Sequence, residues 1–160
     1  MAAPSTCEGT VAVRDLAPGD EAAWRALWKG YCDFYGVSVP ASVTDATWRR
    51  LIDPDAPLFG LVACDAAGRA IGIVNCVLHP VTWSAADTCY LEDLFVAPEA
   101  RKRGAGRALI EAVRKRGEAQ GWYRVYWMTK VDNRTARALY DKLTGGSEWV
   151  RYHIPLDAPA

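Results

Sequence analysis

The sequence predicts a single-domain mixed α/β fold, and three observations carry that expectation. Runs of strand composition (Leu58 to Cys64, Ala70 to Leu78, Cys89 to Val96, Trp122 to Thr129) alternate with stretches of helical periodicity. Between Cys89 and Gly121 an apolar strand, a glycine-rich turn and an amphipathic helix follow one another without a break. That is the order of a crossover whose helix returns the chain to a neighbouring parallel strand. Finally, 160 residues of which 51% are hydrophobic suffice for one core.

Taken in order, Gly9 to Leu16 alternates weakly through Val11 and Val13 and forms a first strand. Pro18, Gly19 and Asp20 supply helix-start chemistry, with Asp20 as N-cap. Trp24, Leu27, Trp28, Tyr31 and Tyr35 then fall at i, i+3, i+4, i+7 and i+11, one helical stripe that ends at Gly36. Such a stripe is ordinarily core, the reading for Trp24, Leu27 and Trp28. Tyr31, Phe34 and Tyr35, near the end, are placed as aromatic walls of a substrate entrance. A second short helix runs from Thr44 to Ile52, capped by Thr44 or Asp45 and ended by Asp53-Pro54. Leu58 to Cys64 and Ala70 to Leu78 form an antiparallel hairpin around Asp65-Ala66-Ala67-Gly68. His79 to Ser84 interrupts the pattern before the central strand. After the glycine turn and its helix, Trp122 to Thr129 is a further strand. Asp132 caps a helix from Asn133 to Leu143, and Trp149 to Ile154 closes the sheet. No repeat, linker or low-complexity run appears.

The charge balance excludes one broad class of function. Nineteen Lys and Arg offset nineteen Asp and Glu, so no global electrostatic case for nucleic acid exists. The stretch MAAPSTCEGT has neither a basic nor an apolar leader region, and no run approaches 18 apolar residues. Membrane spanning and export are not expected, and a cytoplasmic location is. The five cysteines are odd in number and spread, with no C-x-x-C and no His at metal-ligand spacing. They read as reduced thiols, and no metal site is expected.

The chemistry centres on the turn. A helix's first N–H groups are unsatisfied, and its dipole favours an anion there. Glycines let a phosphate approach the backbone, and Arg101, Lys102, Arg103 and Arg107 surround it with positive charge. A P-loop would need Lys followed by Ser or Thr after Gly106, where Arg107 stands; a dinucleotide fingerprint would need Gly at Leu109. What remains is R-x-x-G-x-G, met by Arg101, Gly104 and Gly106, after a strand reading YLEDLFV.

That motif in that context resembles the acetyl-CoA-binding motif of the GNAT superfamily of N-acetyltransferases. A second stretch, DNRTARALYDKL, resembles the superfamily's other signature: Asn133, Ala136 and Tyr140 lie at i, i+3 and i+7, so one helical face carries all three. LWKGYCDFYGVSVP, HPVTW and VYWMTKVDNRTARALY are similar to the fungal histone and polyamine acetyltransferases and their bacterial relatives. YLED-x-FV also resembles the spermidine/spermine N-acetyltransferases. The fold implied is a mixed central sheet of about six to seven strands flanked by about four helices, ordered from about residue 9 to 157.

The resemblance also implies roles. Val96 would bond the pantetheine arm of acetyl-CoA through its backbone; Arg101, Arg103, Gly104, Ala105, Gly106 and Arg107 would surround the pyrophosphate. Asn133 would reach the pantetheine beside Ala136, and Lys142 the nucleotide end. Backbone N–H groups near Leu94 or Phe95, where the superfamily carries a bulge, would meet the developing oxyanion. Tyr140 matches the usual general acid. Attack on a thioester needs a neutral amine, and holding an alkylamine neutral at pH 7 costs roughly 4 kcal/mol, so a base or a water chain is required. Glu92 matches the proton relay of the spermidine/spermine enzymes, whereas the fungal group retains the residue matching Asp93. Neighbours on a strand face opposite sides, so only one of the two lines a given cleft unless a bulge intervenes.

Tyr31, Tyr35, Trp83 and Glu92 are placed at the acceptor site. His79, before Pro80, reads as structural, and Lys102 and Arg114 as solvated. The expected reaction is direct acetyl transfer to a primary amine in a ternary complex. A small molecule such as a polyamine or amino acid comes first as acceptor, a protein lysine second. A non-catalytic acyl-CoA sensor is the alternative class, against which the pairing of Tyr140 with a strand carboxylate argues. Relatives of this kind associate through their C-terminal strands, which implies a homodimer.

Overall fold

The computed structural model describes residues 11–146 and 149–156, and the chain divides into two compact units, 1–128 and 129–160. In the first, strand β1 (Ala12–Asp15) leads through a 3-10 turn at Pro18–Asp20 into helix α1 (Glu21–Tyr35) and helix α2 (Ala41–Ile52). Strands β2 (Leu58–Cys64), β3 (Ala70–Val81) and β4 (Ser84–Val96) follow, then helix α3 (Ala105–Gln120) and strand β5 (Arg124–Tyr126). The strands lie in sequence order, β1-β2-β3-β4-β5, each pair antiparallel except the last, which is parallel across the α3 crossover.

The sheet separates its helices by strand alternation. Ile73 and Phe95, register partners, join Trp24, Leu27, Trp48, Leu51, Val62 and Cys64 in one core cluster under α1 and α2. Gly72, one position away and so on the opposite face, lies beneath Leu109 of α3. Trp24 stacks on Trp28 at 5.7 Å and Trp28 on Tyr31 at 5.4 Å. The helical stripe read from the sequence is therefore a continuous aromatic column. Gly36 ends it in the left-handed region at φ 65°.

Several elements depart from the sequence reading. Five strands form among the described residues, fewer than the six to seven expected. Trp149 to Ile154, expected to close the sheet, has no regular secondary structure. β5 is three residues long where eight, Trp122 to Thr129, were expected, because only Thr88 to Tyr90 of β4 pairs with it. β3 runs on to Val81, and β4 begins at Ser84. The interruption at His79 to Ser84 is thus a hairpin with an exposed Pro80 that has no register partner, the irregularity a proline imposes on a ladder. α2 begins at Ala41, ahead of Thr44. Pro40 is its N-cap, and its carbonyl accepts from Val43 and Thr44 at 3.0 Å each. The side chains expected as caps are used between helices: Thr44 Oγ1 accepts from Trp28 Nε1 at 3.3 Å, and Asp45 pairs with Arg25 at 2.8 Å.

In the second unit, helix α4 (Arg134–Thr144) is capped by Asn133 where the sequence pointed to Asp132; Asn133 Oδ1 accepts from the Ala136 N–H at 3.3 Å. Gly145 closes the helix at φ 72°. No helix among the described residues is long and apolar enough to cross a membrane.

Candidate active site

β4 supplies the frame. β5 covers only Thr88 to Tyr90, so from Leu91 to Val96 the other edge of β4 has no strand partner among the described residues. A strand edge of this kind offers backbone N–H and C=O groups to an extended, amide-bearing ligand. Opposite β3, Asn75 pairs with Asp93 and Cys76 with Leu91, which leaves Glu92 as the extra residue of a bulge. The irregularity thus falls at Glu92, ahead of the Leu94 and Phe95 positions where it was expected. It decides how the two carboxylates part. Glu92 is exposed, whereas Asp93 turns in under α1.

Asp93 is held by two side chains from neighbouring elements. Asn75 Nδ2 donates to Asp93 Oδ2 at 3.1 Å, and the Tyr31 hydroxyl hydrogen-bonds the same carboxylate. Burial raises the Asp93 pKa and outweighs these two bonds, which act to lower it. Tyr31 is pushed strongly upward, first by burial and then by the charge of Asp93, so its phenol stays protonated and donates. Tyr35 packs on Tyr31 with ring centroids 4.9 Å apart. A second aromatic pair lies further along the sheet. Tyr90 stacks on Tyr126 at 5.0 Å, and Tyr126 lies 2.9 Å from His79 Nε2. The other His79 nitrogen is 3.0 Å from the Pro80 carbonyl, which can only accept, so Nδ1 donates there. His79 has both ring nitrogens engaged, in keeping with a structural role.

The turn after β4 has the features a pyrophosphate requires. Gly104, the N-cap of α3, adopts φ 84°; no side chain caps the helix, and no atom lies within 4 Å of where a Cβ would sit. Lys102 is also left-handed, at φ 62°. The first N–H groups of α3, from Ala105, Gly106 and Arg107, lack intrahelical acceptors, while the Ala108 N–H is the first to find one, on Gly104 at 2.9 Å. Arg103 and Arg107 are exposed beside them. Arg101 is engaged elsewhere: its guanidinium lies 5.8 Å from the Phe34 ring centre and 5.7 Å from that of Phe95, and Nε donates to the Val96 carbonyl at 3.1 Å. It stands at a cleft of about 630 Å³ between α1 and the end of β4, lined by Leu27, Gly30, Phe34, Phe95 and Ala97. Gly30 is required there, since a Cβ would stand 2.7 Å from the Phe95 ring.

In the second unit Asn133, Ala136 and Tyr140 are half-buried on α4, and Lys142 is exposed in its last turn. Asn133 is committed locally, since its Nδ2 also donates to Thr129 Oγ1 at 3.0 Å. The structure brings Tyr31, Tyr35 and Asp93 together. It does not bring Trp83 to them: at 72% exposure Trp83 sits at the tip of the β3–β4 hairpin, roughly 30 Å of strand from Asp93. Asn75, Tyr90 and Tyr126 escaped the sequence reading. Only Asn75 carried a signal, as a polar residue inside the apolar run IGIVNCV.

The family model of the acetyltransferase (GNAT) family matches residues 24–145. The D-amino-acid N-acetyltransferase HPA3 of Saccharomyces cerevisiae is 38% identical over 143 residues, 89% of each chain. Among solved structures, an aminoglycoside acetyltransferase from an uncultured soil metagenomic sample is 25% identical with a TM-score of 0.73, covering 92% of this chain and 99% of its own. AAC(6')-Iy in complex with the bisubstrate analogue CoA-S-monomethyl-acetylneamine shares the fold at 23% identity, with a TM-score of 0.78 and 92% and 99% coverage. An open β4 edge, an uncapped glycine turn and a matching family model together make this chain a member of the acetyltransferase (GNAT) family, an N-acetyltransferase that draws on acetyl-CoA.

Proposed function

We propose that this enzyme acetylates the primary amine of a small molecule, an amino acid before a polyamine, by direct attack in a ternary complex with Asp93 as the base. One observation carries the reading: Asp93, half-buried under α1 and bonded by Asn75 and Tyr31, lies on β4 in the stretch that has no strand partner beyond β5 among the described residues. Burial raises its pKa in the direction a general base needs, while the two donors act the other way and favour the ionised, proton-accepting form. The Tyr31 hydroxyl, donating to Asp93, offers its lone pair toward an ammonium and passes the proton inward. Tyr35 beside it supplies a ring face that favours a cation. Bound acetyl-CoA supplies the acyl carbonyl and the thiolate leaving group.

Residues 103–107 hold the pyrophosphate, the β4 backbone near Leu94 and Phe95 takes the developing negative charge, and Tyr140 returns a proton to the thiolate. Glu92, exposed in the bulge, meets the acceptor at the mouth of the site. Direct attack is favoured because Cys32, a thiol within reach of the Asp93 charge, is pushed up by burial and by that charge, and so stays protonated. The relative named for D-amino acids supports the choice of acceptor class.

Thiol release from acetyl-CoA, measured with D- and L-amino acids, polyamines, aminoglycosides and lysine peptides, tests this. The amino acids respond first, Tyr140→Phe loses turnover while keeping acetyl-CoA affinity, and Asp93→Asn loses at least 100-fold in kcat/KM. Silence across the panel with acetyl-CoA still bound would favour the sensing role. A homodimer belongs to the same proposal. Val150, Tyr152, Ile154 and Leu156 recur at every second position and are 74%, 90%, 86% and 84% exposed, the pattern of a strand that seeks a partner.

A further inference from the structure

The group that holds Asp93 is itself fixed from behind. Asn75 is 4% exposed, in a strand whose neighbours Ile73, Val74, Cys76 and Val77 are all apolar. Burying an amide there is costly unless it is fully bonded, and packing alone would be served by another apolar residue. An amide can present either its NH2 or its carbonyl, and a carbonyl turned to Asp93 would set acceptor against acceptor. Trp24 removes that choice. Its indole N–H can only donate, and it lies 3.1 Å from Asn75 Oδ1, which leaves Nδ2 directed at Asp93 Oδ2, also at 3.1 Å. The indole is fully buried and held between Trp28 at 5.7 Å and Trp48 at 5.3 Å, so it cannot turn away.

We infer that Asn75, oriented by Trp24, is a positioning residue for acetyl transfer: it fixes one oxygen of the Asp93 carboxylate and favours the ionised, proton-accepting form. The inference rests on the reading of Asp93 as the base. The other titratable groups around Asp93 are Tyr31 and Cys32 on α1, Cys76 on β3 and, beyond Tyr31, Tyr35 on α1 and Tyr90 on β4, with exposed Glu92 next in sequence. Tyr31, Cys32 and Cys76 are all pushed up by burial and remain neutral at pH 5 to 8, so none of the three changes charge beside Asp93 in that range.

The test is the pH midpoint of the Asp93 side-chain carboxyl carbon by NMR, assigned by its loss in Asp93→Asn, in four proteins. Asn75→Val removes the donor, and Asn75→Thr restores a hydroxyl donor in the same shape. Trp24→Phe leaves Asn75 in place but frees its amide to rotate. The midpoint rises by about one pH unit in Asn75→Val, and by less in Asn75→Thr and Trp24→Phe. The acid limb of kcat/KM, read with whichever of D-alanine or spermidine turns over, moves with it while acetyl-CoA affinity is unchanged. Equal midpoints in Asn75→Val, Trp24→Phe and the unmodified protein overturn the inference. Should Asn75→Val not fold, Trp24→Phe and Asn75→Thr decide by the same midpoint. Wild-type turnover in Asp93→Asn would sink the reading of the base; lost turnover there with unmoved midpoints would sink only the role of Asn75.

Discussion

At the scale of single residues, the raised pKa of Asp93 ties the stability of the fold to pH. Its pKa is raised by burial above that of an unfolded chain, so the folded state binds the proton more tightly. That contribution to stability is fully present below the unfolded carboxyl pKa of about 3.9 and is lost as pH rises through the folded value. Asp93→Asn, which never ionises, should therefore gain on the unmodified protein as pH rises. The difference in Tm between the two should become more positive from pH 4 to pH 8, with each kcal/mol worth roughly 2–4 °C in a chain of this size. A difference that stays flat or reverses would show that the carboxylate is better compensated than its surroundings indicate. The choice between Glu92 and Asp93 was not readable from the sequence. Strand alternation says only that they part, and which of them enters the core depends on a bulge whose cause lies in the register with β3.

At the scale of elements, the turn between β4 and α3 is where sequence and structure coincide most closely. A glycine at the N-cap, left-handed at φ 84°, leaves the helix N-terminus bare, and R-x-x-G-x-G reads directly as that geometry. Gly104→Ala puts an L-residue where it costs about 1–2 kcal/mol, although nothing in the protein itself meets the new methyl. The expected outcome is a Tm lower by a few degrees and acetyl-CoA affinity weakened at least tenfold, measured by calorimetry, with KM for the amine little changed. Unaltered affinity would place the pyrophosphate away from this turn. Helix boundaries were legible where glycine was read as the stop, as at Gly36 and Gly121. They slipped at α2, where Pro40 provides the first turn's carbonyl and the hydroxyl and carboxylate of Thr44 and Asp45 are recruited by α1. Propensity names residues able to cap; it does not say which will be taken by a neighbour.

At the scale of the whole molecule, the formal charges sum to zero, so no net repulsion opposes the association of two copies. The exposed alternation from Val150 to Leu156 supplies an apolar surface for it. Light scattering should give twice the chain mass, and truncation after Gly146 should halve it. A monomeric profile for the full chain would remove the dimer. Legible from the residues alone was whatever is local: the aromatic stripe of α1, the strand-turn-helix unit with its left-handed glycine, the parallel crossover and the family signature on α4. Each is written in residues within a few turns of one another, where propensity, periodicity and glycine conformation act directly. That β5 pairs over three residues, and that no further strand among the described residues continues along that edge of β4, follows from tertiary contacts. Tertiary packing alone joined buried Trp24 and Asn75 to half-buried Tyr31 and Asp93 in one network and left Trp83 at a distant hairpin tip. The physical reason is common to all three: register and burial are properties of pairings between distant segments, and no local preference encodes them.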